Sequence, residues 1–140
     1  MINLHEFEIK KMLRLAAEAK QKAYAPYSGF RVGACLKTGS GAYYLGCNIE
    51  NAAFTPTNCA ERTAMFKAVY DGERDFEAIA VISDGVDHVA PCGVCRQVLA
   101  EFCPQDMPVI CADRDGNYVV HELRELLPMS FTKKDIDESK

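Results

Sequence analysis

Two short stretches that carry cysteines decide how the chain is arranged: CAER at residues 59–62 and PCGVCR at residues 91–96. Cys92 and Cys95 are three residues apart, a spacing that places both sulfurs on one face of a helical turn. Cys59 can supply a third thiolate from elsewhere in the chain, and thiolates in such a pattern are typical zinc ligands. We therefore interpret the two stretches as parts of one metal site.

A set of three ligands favours a catalytic zinc site, because a structural zinc ion is normally closed by four protein ligands. Glu61 follows Cys59 by two residues, so a carboxylate is available beside the free position. The pattern predicts Zn²⁺ that holds a reactive water and Glu61 as the proton carrier. One alternative is a redox pair at the CxxC. Another is a structural zinc site with a fourth ligand from Cys35, Cys47, Cys103, Cys111 or His88.

Three thiolates around Zn²⁺ leave an excess of negative charge, which opposes ionisation of the water. Two features of the sequence offset this charge. Cys59 and Cys92 lie at predicted helix starts, where the helix dipole and free N–H groups stabilise anions. Arg62 lies three residues after Cys59, and we expect it to hydrogen-bond a zinc thiolate.

Residues 59 and 61 do not share a face of a regular helix, so the sequence leaves their relative placement open.

A Cys, one spacer, a Glu and a later Pro-Cys-x-x-Cys form the signature of zinc-dependent nucleobase deaminases. Beyond it, NIENAAF at residues 48–54 and NCAERTA at residues 58–64 closely resemble the small cytidine deaminases of pyrimidine salvage. The resemblance extends from about residue 24 to residue 131. It implies hydrolytic deamination of cytidine and 2′-deoxycytidine to uridine and 2′-deoxyuridine, with release of ammonia and one Zn²⁺ per chain.

The resemblance also implies roles for single residues. Asn48 and Glu50 would hold the ribose hydroxyls, and the ring of Phe30 would lie against the pyrimidine. The N–H of Ala60 would meet the base carbonyl, and Phe131 would reach into the site of a neighbouring subunit. Without the resemblance, a solvated turn and a core phenylalanine are the simpler interpretations of these positions. The complete predicted set of substrate contacts is Phe30, Asn48, Glu50, Asn51, Ala52, Phe54, Ala60 and Phe131.

The all-cysteine ligand set resembles the small tetrameric branch of the family, which implies a homotetramer with shared sites. Phe54 departs from the family pattern, in which a Tyr often occupies this position. The chain therefore lacks a hydroxyl that could hydrogen-bond across subunits. Two other functions fit the zinc motif. One is deamination of a bulkier cytosine nucleoside antibiotic, and the other is a non-enzymatic zinc module, which requires a fourth protein ligand.

Length and composition limit the possible domain organisation, substrate class and location of the protein. The 140 residues predict a single domain over residues 1–132 with a polar tail over residues 133–140. The net charge of −4 and the lack of a basic stripe favour a small substrate over nucleic acid. Seven cysteines without a secretion signal indicate metal binding or catalysis, and no apolar run suits a membrane span, so we expect a cytoplasmic protein.

Hydrophobic periodicity and turn residues divide the chain into alternating helices and strands. This order predicts an α/β domain, and the resemblance implies a three-layer α/β/α sandwich with a central five-stranded mixed sheet. Residues 48–58 should form a loop over the site. The predicted helices cover residues 4–24, 59–70, 92–103 and 122–127, and the predicted strands cover residues 30–37, 42–48, 76–83, 108–112 and 117–121.

Overall fold

The computed structural model describes residues 4–138 of the chain. The strands are β1 (Val32–Thr38), β2 (Tyr43–Cys47), β3 (Phe76–Ser83), β4 (Pro108–Ala112) and β5 (Tyr118–Glu122). Strands β3 and β4 are parallel, the other neighbouring strands are antiparallel, and the order across the sheet is β2-β1-β3-β4-β5. The helices are α1 (Glu6–Lys20), α2 (Ala60–Tyr70), α3 (Gly93–Phe102), α4 (Leu123–Leu126) and α5 (Lys133–Glu138).

The core lies on both faces of the sheet, because successive side chains of a strand point to opposite sides. The three layers confirm the predicted α/β/α sandwich with a five-stranded mixed sheet. On the face covered by α1 the buried residues are Ile9, Met12, Leu13, Ala16, Cys35, Ala78, Ala80, Ile82, Ile110 and Ala112. On the face covered by α2 and α3 they include Ala34, Leu36, Ala64, Met65, Ile79, Val81, Leu99, Val109 and Cys111.

Two glycines let helices approach the sheet closely. A Cβ on Gly33 would lie 2.0 Å from the carbonyl oxygen of Ala16 in α1. A Cβ on Gly46 in β2 would lie 2.2 Å from the carbonyl oxygen of Ala60 and 2.6 Å from the nitrogen of Ala64. Any larger residue at either position would collide with helix backbone, which cannot move aside as a side chain can. The absence of a side chain at Gly46 therefore allows the short distance between the first turn of α2 and the sheet.

The predicted strands 76–83 and 108–112 agree with β3 and β4 to the residue, whereas α1 is shorter than the predicted helix over residues 4–24. The chain leaves the helix after Lys20, and Tyr24 pairs with Ile49 in an isolated bridge. None of the helices within residues 4–138 is long and apolar enough to cross a membrane.

The C-terminal segment, predicted as a polar tail over residues 133–140, forms helix α5 over Lys133–Glu138. Asp135 lies in the first turn of this helix, and its Oδ2 accepts a hydrogen bond of 2.8 Å from the N–H of Thr132, the residue before the helix, as in one half of a capping box. The segment is polar, as predicted, but ordered by this local pairing. Residues 139 and 140 of the predicted tail lie outside the described residues.

Candidate metal centre and active site

Three cysteines meet where the N-termini of α2 and α3 come together. Cys59 is the N-cap residue of α2, Cys92 is the N-cap residue of α3, and Cys95 lies in the first turn of α3. Their sulfurs all lie within 4.8 Å of one another, and the sulfurs of Cys59 and Cys92 are 3.7 Å apart. Ligands at tetrahedral angles and about 2.3 Å from zinc are about 3.8 Å apart. The three side chains thus fit a zinc ion.

The cluster has an open fourth position. Among residues 4–138, which include every cysteine and histidine of the chain, no fourth His, Cys, Asp or Glu side chain joins the three sulfurs. Cys35, Cys103 and Cys111 are instead buried in the core. The proposed structural zinc site with a fourth ligand from Cys35, Cys47, Cys103, Cys111 or His88 therefore has no support in the structure.

Glu61 is buried beside the sulfurs, with only 5% of its surface exposed. The backbone of Cys59 is extended, at φ −74° and ψ 158°, so the ligand precedes the helix while Glu61 lies in its first turn. This change of conformation removes the conflict between the two-residue spacing and a regular helix. Burial raises the pKa of Glu61 to about 7. A carboxyl group of this kind exchanges protons readily near neutral pH.

The guanidinium of Arg62 lies against the thiolates. Its Nη2 donates a hydrogen bond of 3.3 Å to the sulfur of Cys59. A hydrogen bond with Cys95 and the contact with Arg62 lower the pKa of Cys59 to about 5, although burial opposes them. The three-residue spacing from Cys59 predicted this contact of Arg62 with a thiolate. The effect of Arg62 on turnover stays a prediction.

Asn48 lies at the end of β2 and bonds to the start of β1. Its Oδ1 accepts a hydrogen bond of 2.9 Å from the N–H of Val32, and its Nδ2 donates one of 2.9 Å to the carbonyl of Phe30. The amide keeps one N–H and one lone pair for a ligand. Phe30 itself is 42% exposed, so its interpretation as a core residue is wrong.

Glu50 holds the turn that precedes Phe30. Its Oε1 accepts hydrogen bonds of 2.9 Å and 3.1 Å from the N–H groups of Tyr27 and Ser28, and its Oε2 accepts one from the Ser28 hydroxyl. These bonds, chiefly that of the hydroxyl, lower the pKa of Glu50. A carboxylate has about four acceptor sites, so the ionised group still has capacity for a ligand hydroxyl. No pattern in the sequence indicated Ser28 as the partner of Glu50.

The loop that carries the other predicted contacts is closed at its base by Ile49 and Asn58. Each N–H donates a hydrogen bond of 2.9 Å to the carbonyl of the other residue. A groove of about 300 Å³ borders the loop, and Phe54 is 83% exposed beside it. The residues that line this groove are Tyr27, Ser28, Glu50, Asn51, Phe54 and Thr57. Ala52 is exposed near the tip of the loop.

The last two predicted contacts, Ala60 and Phe131, also lie outside this loop. Ala60 is the first residue of α2, so its N–H has no carbonyl partner within the helix. This agrees with its predicted use as a donor. Phe131 is 62% exposed, and its carbonyl accepts a hydrogen bond of 2.7 Å from Nε2 of Gln97. No role was predicted from the sequence for Arg96 or Gln97, the two residues that follow the predicted ligand Cys95.

The chain resembles known deaminases along most of its length. Residues 7–111 match the model of a family described as the cytidine and deoxycytidylate deaminase zinc-binding region. A cytidine deaminase from Sporosarcina psychrophila is 49% identical over 129 residues, which cover 92% of this chain and 95% of that protein. A more distant relative, a blasticidin-S deaminase from Bacillus cereus, is 33% identical over 110 residues, which cover 73% of this chain and 77% of that protein.

A solved structure shows the same fold. The crystal structure of cytidine deaminase from Burkholderia pseudomallei matches with a TM-score of 0.85 and 44% identity, over 87% of this chain and 98% of that one. Fold and cluster together define an enzyme of the zinc-binding deaminase class. Within that class, the chain belongs to the cytidine deaminase family. The resemblance drawn from the sequence is thereby confirmed.

Proposed function

We propose that this enzyme deaminates cytidine and 2′-deoxycytidine by hydrolysis, giving uridine and 2′-deoxyuridine with release of ammonia. The observation that carries the proposal is the open cluster of three thiolates with the buried carboxyl of Glu61 beside it. A site without a fourth protein ligand leaves room for water, and a structural zinc site has no need of the carboxyl. This arrangement disfavours the non-enzymatic zinc module.

The chemistry requires water to add to C4 of the cytosine ring and the C4–N bond to break. Cys59, Cys92 and Cys95 would hold the Zn²⁺ ion, which when bound would supply the Lewis-acid chemistry that activates water near neutral pH. Glu61 accepts the proton of the attacking water and passes it to ring N3. It then takes the proton of the hydroxyl added at C4 and gives it to the amine, so that the C4–N bond breaks, ammonia leaves and the C4 carbonyl of the product forms. The raised pKa of Glu61 suits a group that both takes and gives a proton.

The substrate is held by groups on both sides of the metal centre. Phe30 offers an exposed ring as a stacking surface for the base, and the free N–H of Ala60 meets the base carbonyl. Asn48 and Glu50 take the ribose hydroxyls with the acceptor and donor capacity that their protein contacts leave. The loop residues Asn51, Ala52 and Phe54 border the sugar.

Of the two candidate substrates, we propose cytidine and not a bulkier cytosine nucleoside antibiotic. The relative named cytidine deaminase is 49% identical, and the one named blasticidin-S deaminase is 33% identical and matches less of the chain. Competition between cytidine and blasticidin S separates the two substrates. The proposal includes a role in pyrimidine salvage, which consumes free nucleosides of this class.

The proposal also includes a cytoplasmic homotetramer whose subunits share sites. All seven cysteines are free thiols in the structure, as is typical of proteins in a reducing compartment. Exposed aromatic rings near the site, Phe54 at 83% and Phe131 at 62%, are available to a neighbouring subunit. Sedimentation of the zinc-loaded protein tests the assembly, and a monomeric active enzyme would contradict it.

The experiment that tests the function is ammonia release from cytidine by purified protein of measured zinc content, with Glu61→Gln as the paired variant. We expect the wild type to turn over and the variant to keep zinc while kcat falls by about 10³-fold, because it can no longer carry a proton. If neither protein releases ammonia with one zinc bound per chain, cytidine is the wrong substrate or the site is structural.

A further inference from the structure

Arg96, the residue that follows the ligand Cys95, joins two separate parts of the chain. Its Nε donates a hydrogen bond of 2.7 Å to the carbonyl of Pro91, directly before the ligand Cys92. Its Nη1 donates another of 2.7 Å to the carbonyl of Leu126, the last residue of α4. One guanidinium thus links the metal-ligand turn, residues 91–95, to the C-terminal part of the chain.

Both carbonyls need an outside donor. The first carbonyl that accepts a helical hydrogen bond in α3 is that of Cys92, whose partner is the N–H of Arg96 at 2.9 Å. The carbonyl of Pro91 precedes it and has no partner within the helix, and Leu126 lies in the last turn of α4, where carbonyls also lack one. Pro91 is fully buried, so its carbonyl is far from the bulk water that could replace the guanidinium.

The segment after α4 is held at a second point by the next residue. Gln97 donates a hydrogen bond of 2.7 Å to the carbonyl of Phe131. Between the two points, Met129 has φ 53°, a left-handed conformation that is uncommon for a residue with a Cβ. Such a conformation persists where contacts on either side fix the chain. We call residues 126–131, which are bound at both ends by consecutive residues of α3, the C-terminal strap.

We propose that Arg96 is a positioning residue that couples the metal-ligand turn to the C-terminal strap. Because Cys92 is the exposed ligand, its sulfur depends on the backbone of residues 91–92 for its position. The same side chain sets where the strap leaves α4, and hence where it presents Phe131. The metal part of this inference stands on the geometry alone, and the part that concerns Phe131 and substrate rests on the proposed function.

Arginine suits this task better than lysine. Its donors point in different directions from a rigid plane, so it can hold two carbonyls at once, whereas an ammonium is a point charge on a flexible stem. Removing groups that orient metal ligands typically costs about 10- to 100-fold in metal affinity or activity. Arg96→Gln should therefore loosen the metal centre and release the strap together. Arg96→Lys should give an intermediate result, because it keeps the charge and can reach one carbonyl.

The first measurement is the rate at which cobalt-loaded full-length protein loses its metal to EDTA, followed by the cobalt–thiolate absorption. We expect Arg96→Gln to lose cobalt about tenfold faster than the wild type. The matched control is Arg124→Gln, which removes the same charge from a partly exposed arginine on α4 that pairs with Glu122 at 3.1 Å. It should behave like the wild type. Circular dichroism at equal concentration shows whether each variant is folded.

The second measurement follows the strap. The chain contains no tryptophan, so Phe131→Trp introduces a single tryptophan at the end of the strap, which is read by excitation at a wavelength that the tyrosines do not absorb. In this background, Gln97→Ala should shift the emission to longer wavelength by freeing the near end, and Arg96→Gln should shift it by freeing the far end. Gln97→Ala should leave cobalt loss unchanged, because Gln97 does not contact the turn. The wild-type emission serves as the reference.

The outcomes separate the parts of the inference. Cobalt loss from Arg96→Gln within twofold of Arg124→Gln would overturn the link to the metal centre. An unshifted emission in Arg96→Gln would overturn the link to the strap. If Arg96→Gln does not fold, Arg96→Lys decides both points in the same assays. Neither readout requires turnover. Failure of cytidine deamination would therefore refute the proposed function without affecting the test of this coupling.

Discussion

The two sides of the site differ in what holds their residues in place. On the metal side, Cys59, Cys92 and Cys95 lie at the starts of two helices that pack on a buried sheet. On the loop side, Phe30 and Glu50 lie on partly exposed segments. Backbone packing, with added hydrogen bonds from Arg62 and Arg96, positions the first group, whereas hydrogen bonds that mostly involve side chains position the second.

This difference indicates how each side responds to change. A position fixed by helix and sheet backbone has few ways to relax, so a small steric change there should disturb folding and metal binding together. A position fixed by one or two hydrogen bonds should lose only those bonds. The metal side is therefore expected to fail as a unit, whereas the loop side should change in steps.

The largest effect is expected from Gly46→Ala, which places a methyl group 2.2 Å from the carbonyl oxygen of Ala60. The backbone of α2 must move, so we expect the free energy of unfolding to fall by about 3 kcal/mol, with weaker zinc retention. Urea unfolding with zinc analysis measures both. Gly93→Ala is the control, because a Cβ there meets nothing within 4 Å. Equal stabilities would show that α2 shifts freely.

Arg62→Gln should keep zinc but lower kcat by about 10- to 100-fold, because the charge on Cys59 loses a charge-assisted hydrogen bond. Steady-state kinetics at measured zinc occupancy test this. Arg74→Gln is the matched control, since Arg74 is an exposed arginine that donates to the backbone carbonyls of Val69 and Glu73. Unchanged turnover at full occupancy would exclude the role of Arg62.

Asp84 connects the loop side to the core, because it pairs with Lys20 at 3.0 Å and with Arg31 at 2.9 Å, next to Phe30. The hydrogen bonds of Arg31, more than those of Lys20, hold the pKa of Asp84 well below its usual range. A carboxyl whose pKa is lowered by folding stabilises the protein above its ordinary pKa of about 3.9, and this contribution is lost as the pH falls below that value.

Asp84→Asn should accordingly lower the free energy of unfolding by about 2 kcal/mol at neutral pH. The difference from the wild type should shrink at a pH below about 3.9. Urea titrations of both metal-free proteins at the two pH values measure it. Asp71→Asn, which alters an exposed acceptor of the Tyr44 hydroxyl, is the control. A difference that is independent of pH would rule out the ion pairs as its source.

The smallest effect is expected from Glu50→Ala. It should raise KM for cytidine by about tenfold through lost hydrogen bonds, while zinc content and kcat stay close to the wild type. Glu73→Ala removes another carboxylate that accepts from a serine hydroxyl, that of Ser40, and should have no effect. Equal KM values in the two variants would refute ribose binding by Glu50. A loss of zinc in Glu50→Ala would show that the two sides are not separate.

The same division explains what the sequence predicted. The spacing of the cysteines and the residues at the two helix starts are local signals that lie within residues 59–62 and 91–96. The zinc ligands and Glu61 could therefore be proposed from these two stretches alone. Strands β3 and β4 are continuous apolar runs, which is typical of strands buried on both faces, and their bounds were predicted to the residue.

The loop side was harder to predict because its contacts join distant parts of the chain. Ser28 and Glu50 are 22 residues apart, and neither residue type indicates the other. The early end of α1 has the same cause, since residues 21–24 suit a helix but Tyr24 pairs with Ile49 instead. The start of the helix over Lys133–Glu138 is held by the hydrogen bond from the N–H of Thr132 to Asp135, a local signal that the polar composition of this segment concealed.

The bridge between Ile49 and Asn58 has a practical consequence for enzyme engineering. Its two hydrogen bonds keep the ends of the intervening segment together whatever lies between them. Each doubling of the length of a flexible loop costs only about 0.6 kcal/mol in closure entropy. Segments of other lengths and compositions could therefore be grafted between Glu50 and Asn58, with Glu50 kept for its hydrogen bonds to residues 27 and 28, to build libraries with altered nucleoside preference.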